Sequence, residues 1–190
     1  MIVYLHGFRS SPQSTKARQL KAHMEKLGLG QQFWCGQLPV SPREAIALAE
    51  AQIAASTTPV TVVGSSLGGY YATHLAEKHR LRAALINPAV VAPLSLAEFI
   101  GPQTNLYTGE TFEFRPQHIE ELRAIEVSKI TYPENFLLLA ETGDEVLDYR
   151  QAVVKYAGCR QVVLQGGDHS FTRFGAYMGA ILDFAGLRRG

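Results

Sequence analysis

Six short apolar runs punctuate the chain: Ile2 to Leu5, Gln32 to Cys35, Val60 to Val63, Leu81 to Ile86, Phe136 to Ala140 and Arg160 to Leu164. As a set they lack the apolar/polar alternation of strands wetted on one face, so they read as strands covered on both faces. Helical patterns fill most of the intervals, which makes the runs successive β-α-β units joined by right-handed crossovers. That combination restricts the chain to an α/β fold on a mostly parallel sheet with helices on both faces.

The helices carry their own punctuation. Ser41-Pro42-Arg43-Glu44 reads as a capping box with Pro at the first helical position, opening a helix that contains Ile46, Leu48 and Ile53. Ala17, Leu20, Met24 and Leu27 recur at helical spacing before Gly28, and Tyr149 to Ala157 ends at Gly158, each Gly suited to a left-handed C-terminal cap. A last helix runs through Tyr177, Met178, Ile181, Leu182 and Phe184. About 45 residues between Asn87-Pro88 and the Phe136 run break the rhythm, longer than connections in such folds normally are. This interval, about 89–132, reads as a small inserted cap. It is expected to hold a helix around Leu94 to Ile100, turns at Gly101-Pro102 and Tyr107-Thr108-Gly109, and a second helix from Gln117 to Val127.

Composition narrows the partners. The 190 residues, 46% of them apolar, suit one domain over 1–190 that buries about 70% of its unfolded surface without disulfides. With 18 basic against 17 acidic residues, and no basic run beyond Arg188-Arg189, the chain lacks the field that nucleic-acid binding requires. Cys35 and Cys159 lie far apart and outside any metal-ligand spacing, so both read as buried free thiols. The start shows no leader pattern, and the longest apolar stretch, Ala83 to Ile100, is broken by Asn87, Pro88, Pro93 and Glu98. A cytoplasmic protein with no membrane span is expected.

Gly64-Ser65-Ser66-Leu67-Gly68 matches G-x-S-x-G, the nucleophile elbow, in which a serine sits on a strained strand-to-helix turn. Chance alone gives about 0.08 matches per shuffled chain, so the setting must support it. It does: Val60-Thr61-Val62-Val63 precedes the motif and a helical pattern from Gly69 to Ala76 follows. The same glycines do not fit phosphate loops, because Ser66 stands where a dinucleotide fingerprint needs Gly and Tyr70 where a P-loop needs Lys.

A serine nucleophile at neutral pH needs a base in contact, and the base needs an acid to fix its tautomer. The four aspartates, Asp144, Asp148, Asp168 and Asp183, all follow Ser66, which leaves the order Ser, Asp, His. Asp144 follows the Phe136 run, at the sheet edge where open α/β folds bind ligands. Asp148 is an alternative acid, and Asp144 could instead cap a helix beginning near Val146; Asp168 is too close to the base to grip its Nδ1. His169, in Gly166-Gly167-Asp168-His169-Ser170, occupies the corresponding loop after the last strand and is the candidate base. His23, His74, His79 and His118 lie in helical patterns without a zinc spacing, and no cofactor or metal is called for. The first strand closes on His6-Gly7-Phe8, which makes the backbone N–H groups of Phe8 and Leu67 the candidate oxyanion hole. His6 reads as a structural hydrogen bonder, while Phe8, Asn87 and Tyr107 are candidates to line a substrate pocket.

Together these blocks resemble the α/β-hydrolases, and within them the small bacterial YqiA-like esterases. The similarity is carried by Tyr4-Leu5-His6-Gly7-Phe8, Ser11-Pro12, Gly64 to Tyr71, Asn87-Pro88-Ala89-Val90, Tyr107-Thr108-Gly109 and Thr142 to Arg150, which span nearly the whole chain. The resemblance implies a six-stranded sheet in order 2-1-3-4-5-6, lacking the antiparallel N-terminal pair of larger relatives, with an edge that a homodimer could cover. It also implies a serine esterase acting on small-molecule acyl esters or thioesters, with Ser66, Asp144 and His169 as triad. Here the oxyanion loop is His6-Gly7-Phe8-Arg9, not the HGGG type. Acyl transfer or peptide hydrolysis on the same residues is an alternative reading, as is a non-catalytic binding protein on this scaffold. The apolar cap points to a small to medium acyl group.

Overall fold

The computed structural model describes residues 1–187, so Arg188-Arg189 lies outside the described residues. Its main sheet has six strands: β1 (Ile2–Leu5), β2 (Phe33–Trp34), β3 (Thr61–Ser65), β4 (Arg82–Ile86), β7 (Phe136–Glu141) and β8 (Arg160–Leu164). They lie in the order β2-β1-β3-β4-β7-β8, which is 2-1-3-4-5-6 when only these six are counted. Every neighbouring pair is parallel, with Ile2 opposite both Phe33 and Thr61, and Leu139 opposite both Ile86 and Val162.

The lack of alternation has a direct cause. Successive side chains of a strand face opposite ways, and both faces are covered. Val3, Leu5, Val62, Leu85 and Leu138 pack in one core layer, while Ile2, Tyr4, Val63, Ala84, Ile86, Leu137 and Leu139 pack in the other. The first layer is closed by α2 (Pro42–Ala54), α3 (Leu67–His79) and α6 (Tyr149–Lys155), the second by α1 (Thr15–Lys26) and α7 (Phe174–Phe184). The edge strands β2 and β8 are partly exposed along their length, whereas in the inner strands exposure is confined to Arg82 at the start of β4. Gly28 and Gly158 adopt φ of 71° and 86° after α1 and α6, as cap glycines do.

Between β4 and β7 lie α4 (Ala92–Ser95), the antiparallel hairpin β5 (Gly101–Thr104) and β6 (Thr111–Phe114), and α5 (Pro116–Ala124). Three expectations change here. The helix anticipated over Leu94 to Ile100 starts earlier, at Ala92 with Pro93 in its first turn, and gives way to a 3-10 turn at Ala97–Phe99. The turn-rich stretch pairs as a hairpin whose loop is closed by Asn105, its side chain accepting from the N–H groups of Tyr107 and Thr108. The second helix ends at Ala124 instead of Val127. Aromatic packing fastens this segment to the sheet edge: the Phe8 ring meets Phe99, Phe112 and Phe114 at centroid distances of 5.7, 5.9 and 5.0 Å.

The capping box of α2 forms only in half. Ser41 Oγ accepts from Glu44 N, but the hydroxyl donates to Glu121 Oε2 of α5 (2.6 Å), which also accepts from Arg43 N. A carboxylate of α5 thus caps α2. The cysteines are free but half-buried instead of buried, with burial pushing the Cys35 thiol up to about 12. Among the described residues no helix is long and apolar enough to cross a membrane.

Candidate active site

The turn from β3 into α3 sets the position of Ser66. Its φ of 56° and ψ of −123° lie in a region that L-residues seldom occupy. The chain can take this turn because its glycines leave room for backbone. A Cβ on Gly68 would run into the Leu5 carbonyl, and one on Gly64 into the Gly68 carbonyl. Hydrogen bonds from Ser66 N to Ile86 O (3.1 Å) and from Ala89 N to Ser66 O (3.0 Å) fix the turn against the end of β4.

His169 lies in the loop after β8, with Nε2 at 3.1 Å from Ser66 Oγ. Its Nδ1 stands 2.9 and 3.0 Å from the two carboxylate oxygens of Asp144, whose side chain is 2% exposed. With Nδ1–H donating to Asp144, Nε2 is left as the acceptor facing the serine hydroxyl. Asp144 Oδ1 also accepts from the N–H groups of Val146 and Leu147, so the carboxylate closes its own turn as well as holding the imidazole. The turn at Val146 does not open a helix; α6 starts at Tyr149 with Asp148 as N-cap, accepting from Arg150 N. Asp148 is therefore occupied at a helix start.

Sequence reasoning missed what braces the histidine loop. Asn87 Nδ2 donates to the carbonyls of Asp168 and His169 at 2.9 and 3.3 Å, and its Oδ1 accepts from Glu141 N at 2.9 Å. The fully buried Glu141 carboxylate accepts from Asp168 N (2.9 Å) and pairs with Arg173 Nε (2.6 Å). Glu145 Oε2 accepts from His169 N at 2.9 Å. Asn87, put forward as a pocket residue, is 3% exposed and its amide is fully engaged, so it faces the loop and not the cleft. The one available signal was an acid ending an apolar strand, Glu141 after Phe136 to Ala140.

Gly7 abuts the serine: a Cβ there would lie 3.1 Å from Ser66 Cβ. Beyond it, the Phe8 N–H has no acceptor among the described residues, and the Leu67 N–H belongs to the first turn of α3, which lacks intrahelical acceptors. His6 is buried, its Nδ1 bonding to Gly7 O (3.1 Å) and its Nε2 accepting from Leu38 N (3.1 Å). Burial holds its pKa below the ordinary histidine value.

Two cavities flank this loop. One of about 500 Å³ is walled by Phe8, Leu38, Val40, Leu67 and Tyr71. The other, about 250 Å³, contains Ser66, His169, Ser170, Lys16 and Tyr107. Phe8 borders both, and Tyr107 only the second. His23, His74, His79 and His118 lie outside them, and among the described residues no His/Cys/Asp/Glu group is arranged to hold a metal.

A family model described as "Uncharacterised protein family (UPF0227)" matches residues 1–186. Solved structures share the fold. A monoacylglycerol lipase from Paleococcus ferrophilus superposes with TM-score 0.70 at 15% identity, covering 98% of this chain and 94% of the lipase. Mouse alpha/beta hydrolase domain-containing protein 10 gives 0.69 at 16% identity over 96% and 88% of the two chains. Est1E from Butyrivibrio proteoclasticus gives 0.67 at 16% identity over 97% and 88%.

Proposed function

The chain belongs to the UPF0227 family and has the α/β-hydrolase fold, and from that premise we propose that it is a serine hydrolase of carboxylic esters or thioesters. The carrying observation is the relay from Ser66 Oγ through His169 to Asp144, at 3.1 and 2.9 Å, on a serine in strained backbone geometry. In the proposed reaction Ser66 Oγ attacks the acyl carbonyl carbon while His169 Nε2 takes the hydroxyl proton. The carbonyl oxygen becomes an oxyanion held by the N–H groups of Phe8 and Leu67. Collapse breaks the bond to the leaving oxygen or sulfur, which receives the proton from His169. Water then repeats the sequence on the acyl-serine and releases the acid. Segment 89–132 acts as a cap within a single domain, and the larger cavity takes a small to medium acyl chain.

Intact-protein mass spectrometry after incubation with a fluorophosphonate tests this reading. One adduct is expected on the wild type and none on Ser66→Ala; a folded wild type that stays unlabelled overturns it. Rates on p-nitrophenyl esters from acetate to palmitate then test the acyl preference, which a flat response defeats.

A further inference from the structure

The two cavities beside Ser66 differ in chemistry, and His169 decides which part of a substrate enters each. The histidine must hand its proton to the leaving atom, so the leaving group lies on its side of the scissile bond. Only the smaller cavity is bordered by His169 and Ser170, whereas the larger, next to the oxyanion donors, combines apolar and aromatic side chains with the oppositely charged Arg9 and Glu110. The smaller cavity carries one full cation, Lys16, and no carboxylate in its wall. Lys16 Nζ donates to Ser170 O at 2.7 Å and forms no ion pair among the described residues, which leaves two of its N–H groups for a ligand.

The surroundings of Lys16 favour an anion further. It stands in the first turn of α1, a twelve-residue helix whose first N–H with an intrahelical acceptor is that of Arg18, to Ser14 O. Ser14, the N-cap and part of the same wall, is 7% exposed, yet its hydroxyl has no partner and makes no capping bond. Burial draws the ammonium down from its ordinary range, against the pull of Asp168, Asp144 and Glu141. Asp144 and Glu141 are engaged with His169 and Arg173, respectively, while Asp168, whose buried Oδ1 has no hydrogen-bond partner, stands outside the cavity wall.

We propose that this smaller cavity is a leaving-group subsite for an anionic oxygen group, a carboxylate or a phosphate, with Lys16 as the residue that selects it. The proposal rests on the ester-hydrolase reading above and names the substrate class for it: esters or thioesters whose alcohol or thiol part is negatively charged.

The test measures kcat/KM on three butyrate esters, those of glycolate, of its neutral amide glycolamide, and of 2-hydroxyethyl phosphate. The wild type is expected to prefer at least one charged ester over the glycolamide ester by about ten- to hundredfold, the range a charge-assisted hydrogen bond supplies, and the two charged arms separate carboxylate from phosphate. Lys16→Gln is expected to lower the charged esters about tenfold more than the neutral one, and Lys16→Arg to keep most of the preference. Equal kcat/KM for all three esters in the wild type overturns the proposal. So does an equal fall of all three in Lys16→Gln, the mark of a lysine that only fastens the Ser170 backbone. Should that variant not fold, the wild-type preference is followed from low to high ionic strength, where a Coulombic subsite weakens and an unchanged preference overturns it. Fluorophosphonate labelling of Ser66 runs alongside: no labelling overturns the hydrolase reading itself, whereas labelling without charge preference overturns this inference alone.

Discussion

Asp144 does two jobs that one substitution can separate. Its carboxylate accepts from two turn N–H groups and from His169 Nδ1. In Asp144→Asn the amide oxygen can still close the turn, but the NH2 group facing His169 favours the tautomer that carries its proton on Nε2, toward Ser66. That imidazole cannot take the serine proton. A fall of about ten-thousandfold in kcat is expected, with the thermal midpoint within a few degrees of wild type; a loss below about tenfold would mean that Asp144 does not set the tautomer. Asp144→Ala removes the turn acceptor as well, so it should lower stability in addition. The brace formed by Asn87, Glu141 and Arg173 works by position alone, since none of its side chains touches Ser66 in the hydrogen-bond network.

At the scale of elements, the glycines of the β3–α3 turn separate room for backbone from mere flexibility. Gly68→Ala places a methyl against the carbonyls of Leu5 and His6, which belong to β1 and its loop and cannot turn aside. A loss of about 3 kcal/mol or more is expected, read from urea denaturation. Gly175→Ala, in α7 with nothing within 4 Å of the new Cβ, should instead gain about 0.5 kcal/mol. The apolar runs located every main-sheet strand to within about two residues, most plainly the four inner strands, where burial on both faces leaves a nearly unbroken apolar signal. The hairpin was not legible: Gly101-Pro102-Gln103-Thr104 has no apolar residue, and its pairing partner Thr111-Phe112-Glu113-Phe114 shows only two turns of alternation. Among site residues, Ser66, Asp144 and His169 stood out because motif and chain order constrain them. Glu141 and Lys16 did not, since an acid and a lysine in a local sequence read as surface charges until the fold buries one and turns the other into the cleft.

For the molecule as a whole, histidines that the fold buries wholly or in part are expected to set a pH dependence. Burial lowers the pKa of His6, His74 and His118 from the ordinary 6.5. As pH falls below that value the unfolded chain binds protons first, so the native state loses stability, and it regains stability as pH rises. The urea midpoint should therefore drop between about pH 7 and pH 5.5, above the range in which Glu50, Glu121 and Glu145, all lowered from 4.5, begin to be protonated. A midpoint flat over that interval would show these histidines to be neutral at no cost to the fold.

The wholly parallel main sheet also governs the order in which the molecule can be assembled. No two adjacent strands of it are joined by a hairpin, so every pairing waits for a crossover. β1 is made first, yet its longer partner begins only at Thr61, and His169 follows Ser66 by 103 residues. In a growing chain the elbow serine is thus made well before the histidine that faces it in the fold. The relay from Ser66 to His169 therefore cannot close until β8 docks and brings its loop across, so the proposed hydrolytic site is one of the last features of the fold to be completed.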